Sequence, residues 1–236
     1  MSTLLLRLAA PLQSWGVTAK FERRNTERIP SKSGVIGLVA SALGRRRNEN
    51  IDDLLNLRFG VRTDQEGILL RDYHTVKSEK SAYVTHRYYL SDGVFLSGLE
   101  GNETLLEEID HVLRNPSFPL FLGRRSCPPE GRLSLGIRKG KSLIMALQEE
   151  PWLISNWERS NNRFSEVRLS ISIDAGEKDA SSYFQRDVPL SYDQTHRKFA
   201  FRSISVKKPV VFPIPGSNFA VSEISTMHDP IGELEG

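Results

Sequence analysis

The sequence predicts an α+β fold, a sheet with helices on one face that carries a long hairpin and a smaller β-rich part behind it. Three observations predict it. Apolar residues alternate in two-residue steps over many short segments, as half-buried strands require. Residues 31–43 and 103–113 keep helical spacing instead, with a serine to cap the first of them. The order strand, helix, strand, hairpin, strand, helix, strand fits an α+β sheet with helices on one face. At 236 residues the chain buries a core without staples, and its single cysteine, Cys127, excludes an internal disulfide or a multi-cysteine zinc site.

Residues 3–10 read as the first strand, with Leu4, Leu6 and Leu8 on one face and Leu5 and Arg7 on the other. Pro11 stops it, and Leu12-Gln13-Ser14-Trp15-Gly16 reads as an ordered loop. A helix follows, capped by Ser31 or Ser33 and ended by Gly44; its apolar residues cover too much of the surface for a narrow stripe, so it is mostly buried. A short helix capped by Asn50 comes next, then a strand at 59–62. Residues 68–76 and 83–90 form the arms of a hairpin around the polar tip 77–81, longer than a compact core needs. A strand at 94–99, an amphipathic helix at 103–113, a strand at 132–139 and a short helix at 142–148 complete this part. Pro151 marks a boundary near 150, with strands expected at 167–173, 183–190 and 199–206 and a loosely held tail at 221–236.

The formal charge of +3 says little until it is resolved along the chain. Residues 20–47 carry +6, residues 121–141 carry +5 and residues 197–208 carry +5, so these three stretches hold +16 and the remainder −13. Concentrated basic stretches beside aromatic or glycine-rich sequence are the footprint of a polyanion groove. Gly123-Arg124-Arg125-Ser126 fits that use, because glycine admits close backbone approach to phosphate and arginine forks onto its oxygens. The hairpin arms, Arg71-Asp72-Tyr73-His74 and Thr85-His86-Arg87-Tyr88-Tyr89, supply rings and guanidinium planes of the kind that stack RNA bases, while also packing across the hairpin. No GxGxxG or Walker pattern occurs, so no nucleotide cofactor is expected. The five histidines lack metal-ligand spacing, and no metal is expected. The leucines near the start are too short and too charged for a signal peptide, and the longest apolar run, residues 35–43, is about half a membrane span; a cytoplasmic protein is expected.

Several blocks carry a resemblance. Leu6-Arg7-Leu8-Ala9-Ala10-Pro11-Leu12-Gln13-Ser14-Trp15-Gly16, Arg28-Ile29-Pro30-Ser31-Lys32-Ser33-Gly34, Leu70-Arg71-Asp72-Tyr73-His74-Thr75-Val76, Leu122-Gly123-Arg124-Arg125-Ser126-Cys127-Pro128 and Arg186-Asp187-Val188-Pro189 resemble, in order, the CasD family of CRISPR-associated proteins, subunits of type I-E Cascade. The resemblance implies a ferredoxin-like, RNA-recognition-type domain at 1–150 with a thumb hairpin at 72–90, a small β-rich part at 151–220 and a tail at 221–236. It implies a non-catalytic subunit, without cofactor or metal, that grips the 5′ handle of CRISPR RNA, meets the Cascade backbone subunit and the large subunit, and touches target DNA only indirectly. Arg87 matches the thumb arginine, and residues 123–126 match the handle-binding loop. Phe121 stands where some relatives carry a tyrosine. The RNA-binding set expected on these grounds is Arg28, Lys32, Ser33, Arg45, Arg71, Tyr73, His74, Arg87, Phe121, Gly123, Arg124, Arg125 and Ser126. The alternative is a metal-independent endoribonuclease of the type I-C kind, with His74 as general base and Tyr73 or Lys77 assisting.

Overall fold

A computed structural model describes residues 1–17, 22–77, 81–154, 165–176, 179 and 182–214. The expected tail at 221–236 and part of the hairpin tip, residues 78–80, lie outside the described residues. The described elements are β1 (Ser2–Ala9), β2 (Leu12–Gln13), β3 (Arg23–Arg24), α1 (Lys32–Ala42), α2 (Asp52–Leu55), β4 (Arg58–Gln65), β5 (Ile68–Lys77), β6 (Ala82–Ser91), β7 (Val94–Gly101), α3 (Glu103–Arg114), β8 (Ser134–Arg138), α4 (Leu143–Glu149), β9 (Glu166–Asp174), β10 (Tyr183–Ser191) and β11 (Lys198–Pro213).

Seven strands form one antiparallel sheet in the order β10-β11-β9-β4-β7-β1-β8. Its centre follows from the sequence pattern. Leu4, Leu6 and Leu8 of β1 point to one face, where α1 and α3 bury Val35, Ile36, Val39, Leu106 and Ile109 against them. Ser31 caps α1 by accepting from the Gly34 amide, and Asn102 caps α3 by accepting from the Thr104 amide. At α2 the cap position belongs to Ile51, although the Asn50 side chain still accepts from the Asp52 amide at 2.6 Å.

Helices cover both faces of the sheet, not one. Leu5 and Leu96 face the opposite way from Leu4 and Leu6, and α4 covers them with Leu143, Ala146 and Leu147. The near-continuous apolar run of β1 is the signature of a strand buried on both sides. Cross-strand partners Gly60 and Gly98 leave α4 the room it needs: a Cβ on Gly98 would lie 2.6 Å from Leu143 Cδ1, and one on Gly60 3.0 Å from Leu147 Cδ1. The C-terminus of α4 is fastened by a buried guanidinium. Arg62 pairs with Asp64 at 2.7 Å and donates to the carbonyls of Leu147, Glu150 and Pro151.

The strands beyond residue 150 continue the same sheet, because β9 pairs with β4 through Gly60↔Ile173 to Arg62↔Ile171. Strand β11 is much longer than the 199–206 expected. Pro209 cannot donate to the ladder, and the pairing with β9 slips between Lys207 and Val210, which lets the strand run on to Pro213. A second, smaller sheet is built on β6. Strand β5 pairs along one edge for ten residues, from Ile68↔Ser91 to Lys77↔Ala82, while β2 and β3 pair with the other edge.

One ion network joins α1 to the far strands. Asp187 accepts from Arg202 Nε at 2.6 Å, Arg202 Nη2 at 2.9 Å and the Lys32 amide at 2.8 Å. Asp174 accepts from Arg202 Nη1 at 2.7 Å, Lys32 Nζ at 2.9 Å and the Phe59 amide at 2.9 Å. Removing one partner of such a buried pair strands the other, whereas an exposed pair contributes little. Asp187→Ala is therefore expected to lower stability by about 3–5 kcal/mol in urea unfolding, while Asp53→Ala, which breaks an exposed pair with Arg45, costs less than about 1 kcal/mol.

Candidate nucleic-acid interface

Three segments distant in sequence meet at one edge of the molecule. The Ser14 amide donates to the Leu122 carbonyl at 3.1 Å, and Trp15 lies buried with its indole donating to Gln13 Oε1 at 3.0 Å. Gln13 in turn donates to the Gly93 carbonyl at 2.6 Å. Gly34, in the first turn of α1, packs on the Trp15 ring so closely that a Cβ would lie 2.7 Å from Cε3. Gly123 has φ +86° and sits where a Cβ would lie 1.6 Å from the Ser14 carbonyl oxygen. The loop 123–126 can thus occupy this place only with glycine at its head.

Arg124 and Arg125 leave the loop toward different surroundings. Arg124 turns to the β5–β6 hairpin. Its Cζ stacks 4.5 Å from the centroid of the Tyr89 ring, and its Nη2 donates to the Arg24 carbonyl at 2.7 Å. Burial pushes the Tyr89 phenol up, but hydrogen bonding from Arg124, Ser126 and Arg87 outweighs it and holds the pKa below the ordinary value. Arg124 Nη1 and Arg87 Nε are shielded from solvent and have no hydrogen-bond partner among the described residues. Each is one donor of a guanidinium otherwise turned to the protein, Arg124 onto the Arg24 carbonyl and both toward the Tyr89 phenol, and a shielded donor left without a partner is costly.

Along the hairpin, Asp72 is the register partner of Arg87 and Tyr73 of His86. Arg71 lies against the His86 ring at 3.2–3.3 Å, and Tyr73 is 69% exposed. His74 Nε2 is 2.6 Å from Asp72 Oδ2 but outside hydrogen-bond alignment. Arg28 is exposed, and its guanidinium lies 3.5 Å from the Gly67 carbonyl beside the base of the hairpin.

Arg125 faces the other way, into a cleft of about 940 Å³ between α1, residues 45–47, residues 118–125 and residues 192–199. Its lining includes Arg46, Arg47, Arg125 and Arg197 with Phe118, Phe121 and Phe199, and no carboxylate among the described residues. Tyr192 fixes one wall. Its hydroxyl donates to the Ser33 carbonyl at 2.5 Å, its ring lies against Gly37, and it meets Phe199 edge-on at 6.4 Å. Burial pushes its phenol far above the ordinary range.

Not every expected residue is available to a ligand. Lys32 is only 6% exposed, and its ammonium faces Asp174 rather than either surface. Ser33 is buried, and Arg45 forks onto Asp53 while lining one end of the cleft. The charge concentrations are diluted in the same way. Arg138, Lys139 and Lys141 pair with Glu150, Glu103 and Glu149, and Arg202 and Lys207 pair with Asp187 and Asp179. Conversely, Arg24, Arg46, Arg47, Arg197 and Tyr192 enter these two surfaces outside the expected RNA-binding set, as does Tyr89, expected only as one ring of the hairpin arm. The arginines were legible only as members of basic runs, and Tyr192 gave no signal beyond its aromatic ring.

Among the described residues no His, Cys, Asp and Glu cluster could hold a metal ion, and no helix is long and apolar enough to cross a membrane. The family model described as CRISPR-associated protein (Cas_Cas5) matches residues 3–205. "CRISPR system Cascade subunit CasD" of Escherichia coli (strain K12) is 35% identical, over 57% of this chain and 70% of that protein. Among solved structures, a chain of a "CRISPR RNA-guided surveillance complex" superposes with a TM-score of 0.74 at 32% identity, over 89% of this chain and 91% of that one. A second, "Crystal structure of Cas protein", superposes with a TM-score of 0.68 at 38% identity, over 90% and 95%.

The close approach at Gly123 is separable from its backbone angle. Gly140 also has positive φ, but a Cβ there would meet nothing within 4 Å. Gly140→Ala is expected to cost about 1–2 kcal/mol, the left-handed penalty alone. Gly123→Ala should cost clearly more in parallel thermal unfolding, because the Ser14 backbone must move.

Proposed function

The chain belongs to the CRISPR-associated Cas5 protein family, and we propose that it is a non-catalytic subunit of a type I-E CRISPR surveillance complex that binds and caps the 5′ handle of CRISPR RNA. The observation that carries this reading is the pair of shielded, unpartnered guanidinium nitrogens on Arg87 and Arg124, set around Tyr89 beside a loop that only glycine can open. A backbone phosphate is a fitting acceptor for such donors, and arginine suits it by its planar fork. Tyr73, Arg71 and His86 on the adjoining strands offer stacking and hydrogen-bonding surfaces for handle bases. Because the guide reads its target by base pairing, this subunit needs only to hold a fixed RNA end.

The rest of the molecule agrees with this assignment. The strand order β8-β1-β7-β4, with α1 joining β1 to β4 and α3 joining β7 to β8, supports reading residues 1–150 as a ferredoxin-like domain, and residues 151–220 as its β-rich C-terminal part. The β5–β6 hairpin corresponds to a thumb. Its exposed Ile68, Val76, Tyr83 and Val84 suit burial against the backbone subunit of the complex. The large subunit and, indirectly, target DNA complete the partners, in the cytoplasm.

The endoribonuclease reading rests on His74. In this geometry its ring is drawn onto Asp72, and Lys77 lies at the outer end of the same strand. A carboxylate beside an imidazole is as compatible with a general base as with pairing, so cleavage of precursor RNA decides between them.

Two measurements test the reading. Incubated with precursor repeat RNA, the chain is expected to leave it intact; specific cleavage lost in His74→Ala would overturn the non-catalytic assignment. Arg124→Ala is expected to weaken handle binding and to flatten the dependence of log K on log salt by about 0.7. Lys139→Ala, whose charge is paired with Glu103 and Glu107 on the α3 face, should leave both unchanged.

A further inference from the structure

The cleft beyond Arg125 is not needed to explain the hairpin-side site, and it has the makings of a second one. Five arginines line it, of which Arg45 is turned onto Asp53, with no carboxylate in the lining among the described residues, and Phe118, Phe121 and Phe199 present partly exposed rings between them. Arginine and aromatic surfaces interleaved along one groove are what a single-stranded nucleic acid requires: charge for the backbone, rings for the bases. The loop headed by Gly123 joins the groove to the first site. Consecutive residues of one loop, Arg124 and Arg125, address the two sides, so a strand crossing Gly123 meets both.

One wall comes from the C-terminal part. Tyr192 anchors the turn at 192–197 to α1 through Ser33, and that turn delivers Arg197 and Phe199 to the cleft. From this juxtaposition we infer that the cleft is a second RNA subsite, in which the handle strand continues past Gly123, with Arg197 and Arg46 on phosphate and Phe199 stacking a base. The inference rests on the handle-binding reading. It adds that the C-terminal part touches RNA, and that Arg46, Arg197 and Phe199 help fix how much of the strand is held.

The test measures binding of a synthetic single-stranded RNA of the handle sequence to the full chain, over a range of salt concentrations. Arg197→Ala, at an exposed position, is expected to weaken binding and to lower the salt slope by about 0.7. Phe199→Leu is expected to weaken binding by roughly five- to 150-fold, the range for one lost stacking contact, with the slope unchanged. Unaltered thermal unfolding of Arg197→Ala would show that the loss is not one of folding. If Arg197→Ala, Arg46→Ala and Phe199→Leu all bind as wild type while Arg124→Ala is weakened, the second subsite is overturned and the handle reading stands. An acidic segment of a neighbouring subunit is then the better occupant. If Arg124→Ala is also without effect, both fall together.

Discussion

The ion network around Asp174 and Asp187 is the constraint on which the rest of the arrangement depends. It takes one charge from α1, one from β11 and two from β9 and β10, and adds the amides of Lys32 and Phe59 as further donors. Two carboxylates against one guanidinium and one ammonium leave no net charge inside. Such networks gain little over an apolar core, since desolvation offsets most of the attraction; their effect is to select one geometry. Here the geometry selected places the start of α1 beside the strands after residue 150, and so sets the distance between the walls of the cleft. Asp187 takes up the Lys32 amide at the start of α1 and Ser31 that of Gly34, so these amides are spent on the protein's own contacts.

The same accounting explains why net charge was uninformative. A total of +3 conceals two populations of basic residue. Lys32, Arg45, Arg62, Arg138, Lys139, Lys141, Arg202 and Lys207 are held by carboxylates within the protein. Arg46, Arg47, Arg87, Arg124, Arg125 and Arg197 gather instead at two adjoining surfaces beside the hairpin and α1. The shared loop at 123–126 joins the two, and the contact between Gly123 and Ser14 fixes its height. A polyanion therefore encounters a local field that the whole-chain charge does not describe.

Much of this was legible in the residues. The alternation in β1, the Ser31 cap and the two arms of the hairpin are local signals, and these elements formed where their own sequence placed them, within a few residues. The packing of α4 on the second face was not anticipated, because the order of elements read as helices on one face, although Leu5 between Leu4 and Leu6 leaves that stretch of β1 apolar on both sides. What escaped was long-range. Lys32 reads as a free cation until Asp174, far along the chain, folds onto it. Arg45 sits in a basic run whose neutralising Asp53 belongs to the next helix. Arg62 ends an ordinary strand pattern, and nothing near it in sequence reveals that three carbonyls will take up its donors. Pairing across the fold decides which charges remain, and no counting along the chain recovers it.

The central claim is one of location: RNA lies along the hairpin and over the 123–126 loop. Ultraviolet crosslinking of the wild-type chain to handle RNA, with crosslinked peptides identified by mass spectrometry, tests it most directly. The account predicts crosslinks at residues 71–89 and 121–126 that a scrambled RNA of equal length fails to give. Crosslinks concentrated instead on α3 and β8, or indifferent to RNA sequence, would contradict it.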